Sequence, residues 1–228
     1  MKKIVLLFTI AISSFAYSQY AGSFGFTTTQ VNAYEHFEQY GITEAKLYTI
    51  KGSPYDRPVF LLGGIYNSEK ALVTGIPLRY NIFSDEIEIK DATSDEITAL
   101  IKSPEYFVKI NEELYLYVLG DNGGYFKVLT DGKSYDLYKK SAVRYVEAVP
   151  TTDGYSRETP ARFSRTDTYY IVSKSGSFYE LPNNRKRFTA IFSANQSKIS
   201  DYLKKNKINL KQEEDMVKVI TYINELEF

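Results

Sequence analysis

An α+β fold, mainly β, is what this sequence predicts: one curved antiparallel sheet, a meander of about eight to ten strands, with two or three C-terminal helices packed on it. Three observations carry that prediction. Short alternating segments bounded by Gly, Pro, Asn, Asp and Ser recur from Lys46 to Leu181. Strand-favouring aromatics are abundant, with 21 Tyr and 14 Phe among 228 residues. After Pro182 the apolar spacing changes from two residues to the three-and-four spacing of helices.

The chain begins with Lys2-Lys3, an apolar run from Ile4 to Ile12 broken only by Thr9, and the small-residue tail Ser13 to Ser18. This order reads as a secretory signal peptide over 1–18, leaving Gln19 as the new start. The nine apolar-run residues make about 14 Å of helix, too short for a ~30 Å hydrocarbon core. No later apolar run is long enough to span as a helix, so no transmembrane segment is expected after cleavage. No Cys follows the run, so a lipoprotein is not expected either. The protein is therefore expected in the periplasm or outside the cell. Removing Lys2 and Lys3 from 28 basic residues against 28 acidic ones leaves a net charge of about −2. That balance lacks the basic footprint of a nucleic-acid binder. With no Cys there are no disulfides, and an apolar core must supply the stability.

Residues 19–45 fit a short strand at Ser23–Thr29 and one or two helical turns at Asn32–Tyr40, or an arm laid on the surface. Residues 46–181 form the expected β region, 182–228 the helical region, and 46–228 one folded domain. Within it, Lys46–Ile50 reads as a strand, stopped by Gly52-Ser53-Pro54. Val59–Tyr66 is the next, and its Gly63-Gly64 pair suggests a bulge or bend. Ala71–Phe83 and Glu86–Lys90 form a hairpin around Ser84-Asp85, with Ile82 opposite Ile87 and Tyr80 opposite Ile89. Leu78, Tyr80, Ile82, Ile87 and Ile89 then share an apolar face, and Arg79, Asn81, Glu86, Glu88 and Lys90 the other.

Glu96–Ile101 fits strand or helix. Tyr106–Ile110 and Leu114–Leu119 alternate around a turn at Asn111-Glu112. Asp131-Gly132 is a strong hairpin signal, placing Val128 opposite Tyr135, Phe126 opposite Leu137, and Lys127 opposite Asp136 on the outer face. That second strand runs on towards Val149. Pro150–Asp167 reads as a solvated loop, or as a basic flap through Arg157, Arg162 and Arg165. Tyr169–Ser173 and Ser177–Leu181 close the sheet. Helical spacing follows at Phe188, Ile191 and Phe192, at Ile199, Tyr202 and Leu203 behind a Ser197 cap, and at Met216, Val219, Ile220 and Ile223. Glu213, Glu214 and Asp215 crowd the start of the last helix, where its dipole favours negative charge.

The order Gly52-Ser53-Pro54-Tyr55, Leu78-Arg79-Tyr80-Asn81-Ile82-Phe83 with Glu86 and Glu88, and Leu129-Thr130-Asp131-Gly132-Lys133 resembles a set of uncharacterised exported proteins of Bacteroidota-type bacteria. Tyr138-Lys139-Lys140, Tyr169-Tyr170 and Tyr222-Ile223-Asn224 fit the same pattern. The resemblance implies export and this fold, and brings no activity with it.

Chemistry is sparse. His36 is the only His, and no serine-hydrolase elbow, phosphate loop, dinucleotide fingerprint or metal-ligand cluster is present. No catalytic residue, metal or cofactor is expected, and the chain does not read as an enzyme. A Ser-Lys dyad would rest on Ser141 or Ser173. A glycosidase pair would draw on Asp85, Glu86 and Glu88, although acids near a turn are ordinary. The candidate binding residues are Arg79, Asn81, Glu86 and Glu88. They form either a register-fixing ion pair or the lining of a groove for a polar ligand. The sequence therefore points to a non-catalytic envelope protein that binds a protein, glycan or lipid partner or has a structural role. The alternatives are a carrier holding apolar cargo between sheet and helices, and a carboxylate-dependent hydrolase of glycan or wall polymer.

Overall fold

A computed structural model describes residues 25–30, 35–94, 96–150, 159–192 and 194–226. The expected signal peptide, residues 19–24 and 31–34, and Arg157 lie outside the described residues. The strands are β1 (Thr28–Gln30), β2 (Leu61–Tyr66), β3 (Ala71–Asn81), β4 (Glu86–Lys90), β5 (Ile97–Leu100) and β6 (Phe107–Ile110). They continue as β7 (Glu113–Val118), β8 (Gly124–Thr130), β9 (Tyr135–Val146), β10 (Arg162–Ser173) and β11 (Phe178–Glu180). Two short helices, α1 (Glu35–Glu38) and α2 (Glu44–Leu47), precede β2, and α3 (Arg185–Ala190), α4 (Gln196–Lys205) and α5 (Glu213–Glu225) follow β11. The eleven strands among the described residues form one antiparallel sheet in the order β1-β5-β4-β3-β2-β6-β7-β8-β9-β10-β11.

The sheet curls until it meets itself. In the segment before β2, Lys51 bridges Arg162 of β10 while Tyr55 bridges Asn81 of β3. Backbone hydrogen bonds from Phe163 N to Lys51 O (2.8 Å) and from Asp56 N to Tyr80 O (3.0 Å) fasten the two joins. Strands β3 and β10 are separated by five strands in the sheet, so this segment closes a barrel-like ring. The bend passes through Gly63-Gly64, where the β2–β3 register shifts. A Cβ on Gly63 would collide with the Lys109 carbonyl of the neighbouring strand.

The inner face holds two apolar cores. Ile65, Leu78, Tyr80, Ile87, Val108 and Tyr125 fill the ring. On the far half of β9 and β10, Leu137 and Ile171 meet Phe188, Phe192, Leu203 and Ile220 of the C-terminal helical region. Helix α5 buries Met216, Val219, Ile220 and Ile223, the stripe its spacing predicts. A third cluster forms where α1 and α2 seat Phe37, Ile42 and Leu47 against Tyr55 and Phe163.

Several local expectations are corrected. Lys46–Ile50 is not a strand. Glu44-Ala45-Lys46-Leu47 are good helix formers behind Thr43, and Leu47 is needed in the third cluster. Arg162–Asp167 belong to β10 rather than a loop, because β9 runs to Val146 and offers them a partner. Helix α4 starts at Gln196, with Asn195 rather than Ser197 in the cap position. The β3–β4 hairpin slips by two residues, pairing Tyr80 with Ile87 and Asn81 with Glu86 across a loop of residues 82–85. An even slip keeps every side chain on its face. Asp85 takes a left-handed conformation there (φ 54°), and Asn81 Oδ1 accepts from Phe83 N and Ser84 N.

The Asp131-Gly132 hairpin departs further. Val128 faces Tyr138, not Tyr135, and a register shift follows before Thr130 pairs with Leu137. Asn224 of α5 is the physical reason. Its Oδ1 accepts from Ser134 N and Tyr135 N (2.9 Å each), and its Nδ2 donates to Tyr135 O (2.8 Å). Thr130 Oγ1 also accepts from Leu137 N. These bonds replace the ladder of a two-residue turn, and Lys127 moves to the inner face opposite Lys139.

Candidate functional site

Arg79, Asn81, Glu86 and Glu88 lie on one face of the β3–β4 hairpin, as alternation requires, and that face is covered. Arg79, Asn81 and Glu88 are all buried. Arg79 donates from Nε (2.9 Å) and Nη2 (2.5 Å) to Glu88 Oε2, and from Nη1 to the Pro58 carbonyl (3.1 Å). Asn81 Nδ2 donates to Glu88 Oε1 (2.8 Å). The guanidinium lies 3.7 Å from the Tyr55 ring centre and 4.2 Å from that of Phe60. Burial holds the Glu88 carboxyl above its ordinary pKa, although Arg79 and Asn81 pull it down. Glu86 points elsewhere, with Oε2 3.3 Å from His36 Nε2 on α1. Three of the four residues thus meet one another, and the fourth ties down a helix.

A second polar constellation, not legible from the sequence, crosses the inner face between the two cores. Tyr115 OH lies 2.7 Å from Asp56 Oδ2 and 3.0 Å from Glu113 Oε2, so one phenol proton serves two carboxylates. Lys127 Nζ is 2.5 Å from Glu113 Oε1, and Arg57 donates to the same oxygen. Arg165 Nη1 is 2.8 Å from Asp56 Oδ1, and its Nε donates to Asp167 Oδ1. Ser141 Oγ donates to Asp167 (2.6 Å) and accepts from Arg165 Nη2 (2.9 Å). Next along the seam, Glu213 Oε2 accepts from Lys139 Nζ (2.7 Å) and Tyr169 OH (2.9 Å).

The electrostatics fix the chemistry available here. Burial alone would raise the Asp56 carboxyl, but the Tyr115 hydrogen bond and the Lys127 and Arg165 charges outweigh it and hold the group below its ordinary value. Glu113 is likewise lowered, with burial overcome by Arg57, Lys127 and Tyr115. Burial pushes the Tyr115 phenol up, helped by both carboxylates. All three groups therefore keep their ordinary charge at neutral pH, and neither carboxyl can act as a general acid. The adjoining void, lined by Asp56, Leu78, Tyr80, Ile110, Glu113 and Tyr115, measures ≈ 10 Å³ and has room for about one water.

The other sequence candidates are also accounted for. Ser141 bonds Asp167 and Arg165 rather than a lysine, and Ser173 Oγ meets Ser175 Oγ in an exposed turn. Asp85 Oδ1 accepts from Tyr80 OH and Tyr125 N. Among the described residues no group of three or more His, Asp or Glu is placed to hold a metal ion.

The outer face of the same strands is different. Register puts Tyr66, Phe107, Leu116 and Phe126 in one row across β2, β6, β7 and β8. Leu114, Val128, Tyr138 and Tyr170 form the adjacent row across β7 to β10. Phe126 is 1% exposed, its ring ringed by Tyr170 (5.4 Å), Phe178 (5.9 Å) and Tyr138 (6.4 Å). Most other members are half-buried, and Phe178 is 42% exposed. On β7 and β8 the polarity is inverted: Glu113, Tyr115 and Lys127 face in, while Leu114, Leu116, Val118 and Val128 face out. An antiparallel sheet with a solvated face shows the opposite order. The signal that could have revealed this is the Leu-Tyr-Leu-Tyr-Val run from Leu114, where both parities are apolar and only the hydroxyls mark the inner side. Compared with known protein families, curated proteins and solved structures, the chain matches none.

Proposed function

We propose that this is a non-catalytic exported protein of the cell envelope that docks a partner on the outer face of β6 to β10. The observation that supports this reading most is the inverted polarity of β7 and β8. Charges there are spent inside on one another, and aliphatic side chains are left facing out. Contiguous outward apolar surface on a soluble domain marks an interaction site. The polar candidates favour the same reading, because Arg79, Asn81 and Glu88 satisfy one another and leave little for a ligand. Export rests on the signal-peptide pattern at 1–18.

A carrier with cargo between sheet and helices is less favoured. That space is occupied by Leu137, Ile171, Phe188, Phe192, Val219 and Ile220, all buried. A cleft of ≈ 360 Å³ does open at the other end of the sheet, among Phe26, Val73, Ile76, Pro77, Ile89 and Thr98.

The test compares mature protein with Leu116→Thr/Val128→Thr as bait in envelope extract, with protein, glycan and lipid all read out. Loss of a captured component with the double variant, but not with a control substitution at exposed Lys204, is the expected result. Equal capture by all three baits would remove the outer face from consideration.

A further inference from the structure

We infer that the outer apolar band seats against a lipid surface; this rests on the docking reading above and names its partner. Extent, shape, composition and charge support it. From β2 to β11 the band crosses seven adjacent strands, about 30 Å at the usual strand spacing, and runs about 14 Å along β7 from Leu114 to Val118. That is roughly 400 Å², about half of what each side of a stable protein–protein interface covers. The face is also the outside of a closed curl, so a rigid partner would need a concave complement. A fluid lipid surface needs none.

The band's composition follows the order of a membrane interface. Leu114, Leu116, Val118 and Val128 hold the centre. Tyr66 and Phe107 flank them on one side, Tyr138, Tyr170 and Phe178 on the other. Aliphatic centres flanked by Tyr and Phe suit acyl chains bordered by headgroups. A polysaccharide would instead need exposed ring faces at the centre, and the central ring, Phe126, is buried. An added peptide strand would need free backbone groups, and β6 to β9 are paired on both sides.

Charges on this face are mixed and mostly paired: Lys109 and Glu180 end the Leu114 row, Lys140 stands beside Phe126, and Asp136 pairs with Lys174 next to Tyr138 and Phe178. Lys140 Nζ is already held by the Asn122 and Gly123 carbonyls. Contact is therefore apolar, with no demand for anionic lipid. Of the band's seven strands only β9 and β10, of 12 residues each, reach the 9–11 a spanning strand needs; β2, β6, β7, β8 and β11 have 3 to 7, so the band as a whole lies on the surface rather than crossing it.

The experiment is flotation of the mature protein with two kinds of vesicle, one of phosphatidylcholine and one of phosphatidylethanolamine with phosphatidylglycerol. Flotation with both, undiminished at high salt, is expected. Leu116→Thr/Val128→Thr should lower partitioning about tenfold with an unchanged circular dichroism spectrum. Should that pair unfold the protein, Leu114→Thr alone serves the same comparison. A protein that stays at the bottom with both vesicles overturns the lipid assignment, as does equal flotation of a folded variant. Face-dependent capture of a protein or glycan without flotation would overturn the lipid assignment and keep the docking reading. Absence of both would end each.

Discussion

At the scale of single residues, Arg79 and Glu88 decide how the β3–β4 hairpin is held. Both charges are buried, and the pair is closed by Asn81, Pro58 O and two aromatic rings. Removing the guanidinium leaves the Glu88 carboxylate buried and unpaired, so Arg79→Met should cost about 3–5 kcal/mol in urea unfolding. Arg79→Met/Glu88→Leu removes both charges and should recover most of that loss. A cost under about 1 kcal/mol for Arg79→Met would mean that the pair is solvated. The sequence showed that these residues share a face, because alternation is local. It did not show that the face is covered. The cover comes from residues 52–60, which return over the hairpin through contacts that no periodicity encodes.

Whole elements carry the next limit. Most strands were readable from alternation and turn residues, though not helix α2 or the start of β10 at Arg162, and the α5 stripe was readable from its spacing. Register was not readable where a distant element edits the turn. Asp131-Gly132 ordinarily makes a two-residue hairpin, yet here the turn is opened by Asn224, about ninety residues away in sequence. Asn224→Ala removes the acceptor for Ser134 N and Tyr135 N and the donor to Tyr135 O. A cost of about 1–3 kcal/mol is expected, from backbone groups left without partners. Amide exchange should quicken in α5 and at Ser134 and Tyr135 while β2 and β6 stay protected. Uniform quickening across the sheet would instead show that the asparagine supports the whole fold rather than the docking of one helix. The inner position of Lys127 has the same origin, since the altered register fixes which parity of β8 points into the ring.

The molecule as a whole is two cores on one curled sheet, joined across a charged seam, and its acid stability should follow from that seam. Asp56 and Glu113 have depressed pKa values in the fold. Their contribution is therefore fully present above the ordinary carboxylate range, near pH 4, and is lost as pH falls through the lower folded values. Glu88 has the opposite sign. Its folded pKa is raised, so protonation favours the fold and offsets part of the loss as pH falls through that higher value. Asp91 and Asp215, outside the seam, are lowered too by local hydrogen bonds, but they join no two elements of the sheet, so the seam pair should dominate below about pH 4. Thermal midpoints measured from pH 7 to about pH 3 should fall on the acid side in the wild-type protein. In Asp56→Asn the midpoint should start lower at neutral pH, because Arg165 and Lys127 lose a counter-charge, and then fall less. The two curves should converge at the acid end. Parallel curves would mean that Asp56 titrates alike in folded and unfolded chains. The seam would then join the cores by shape alone, and the acid sensitivity would have to be sought in carboxylates outside it.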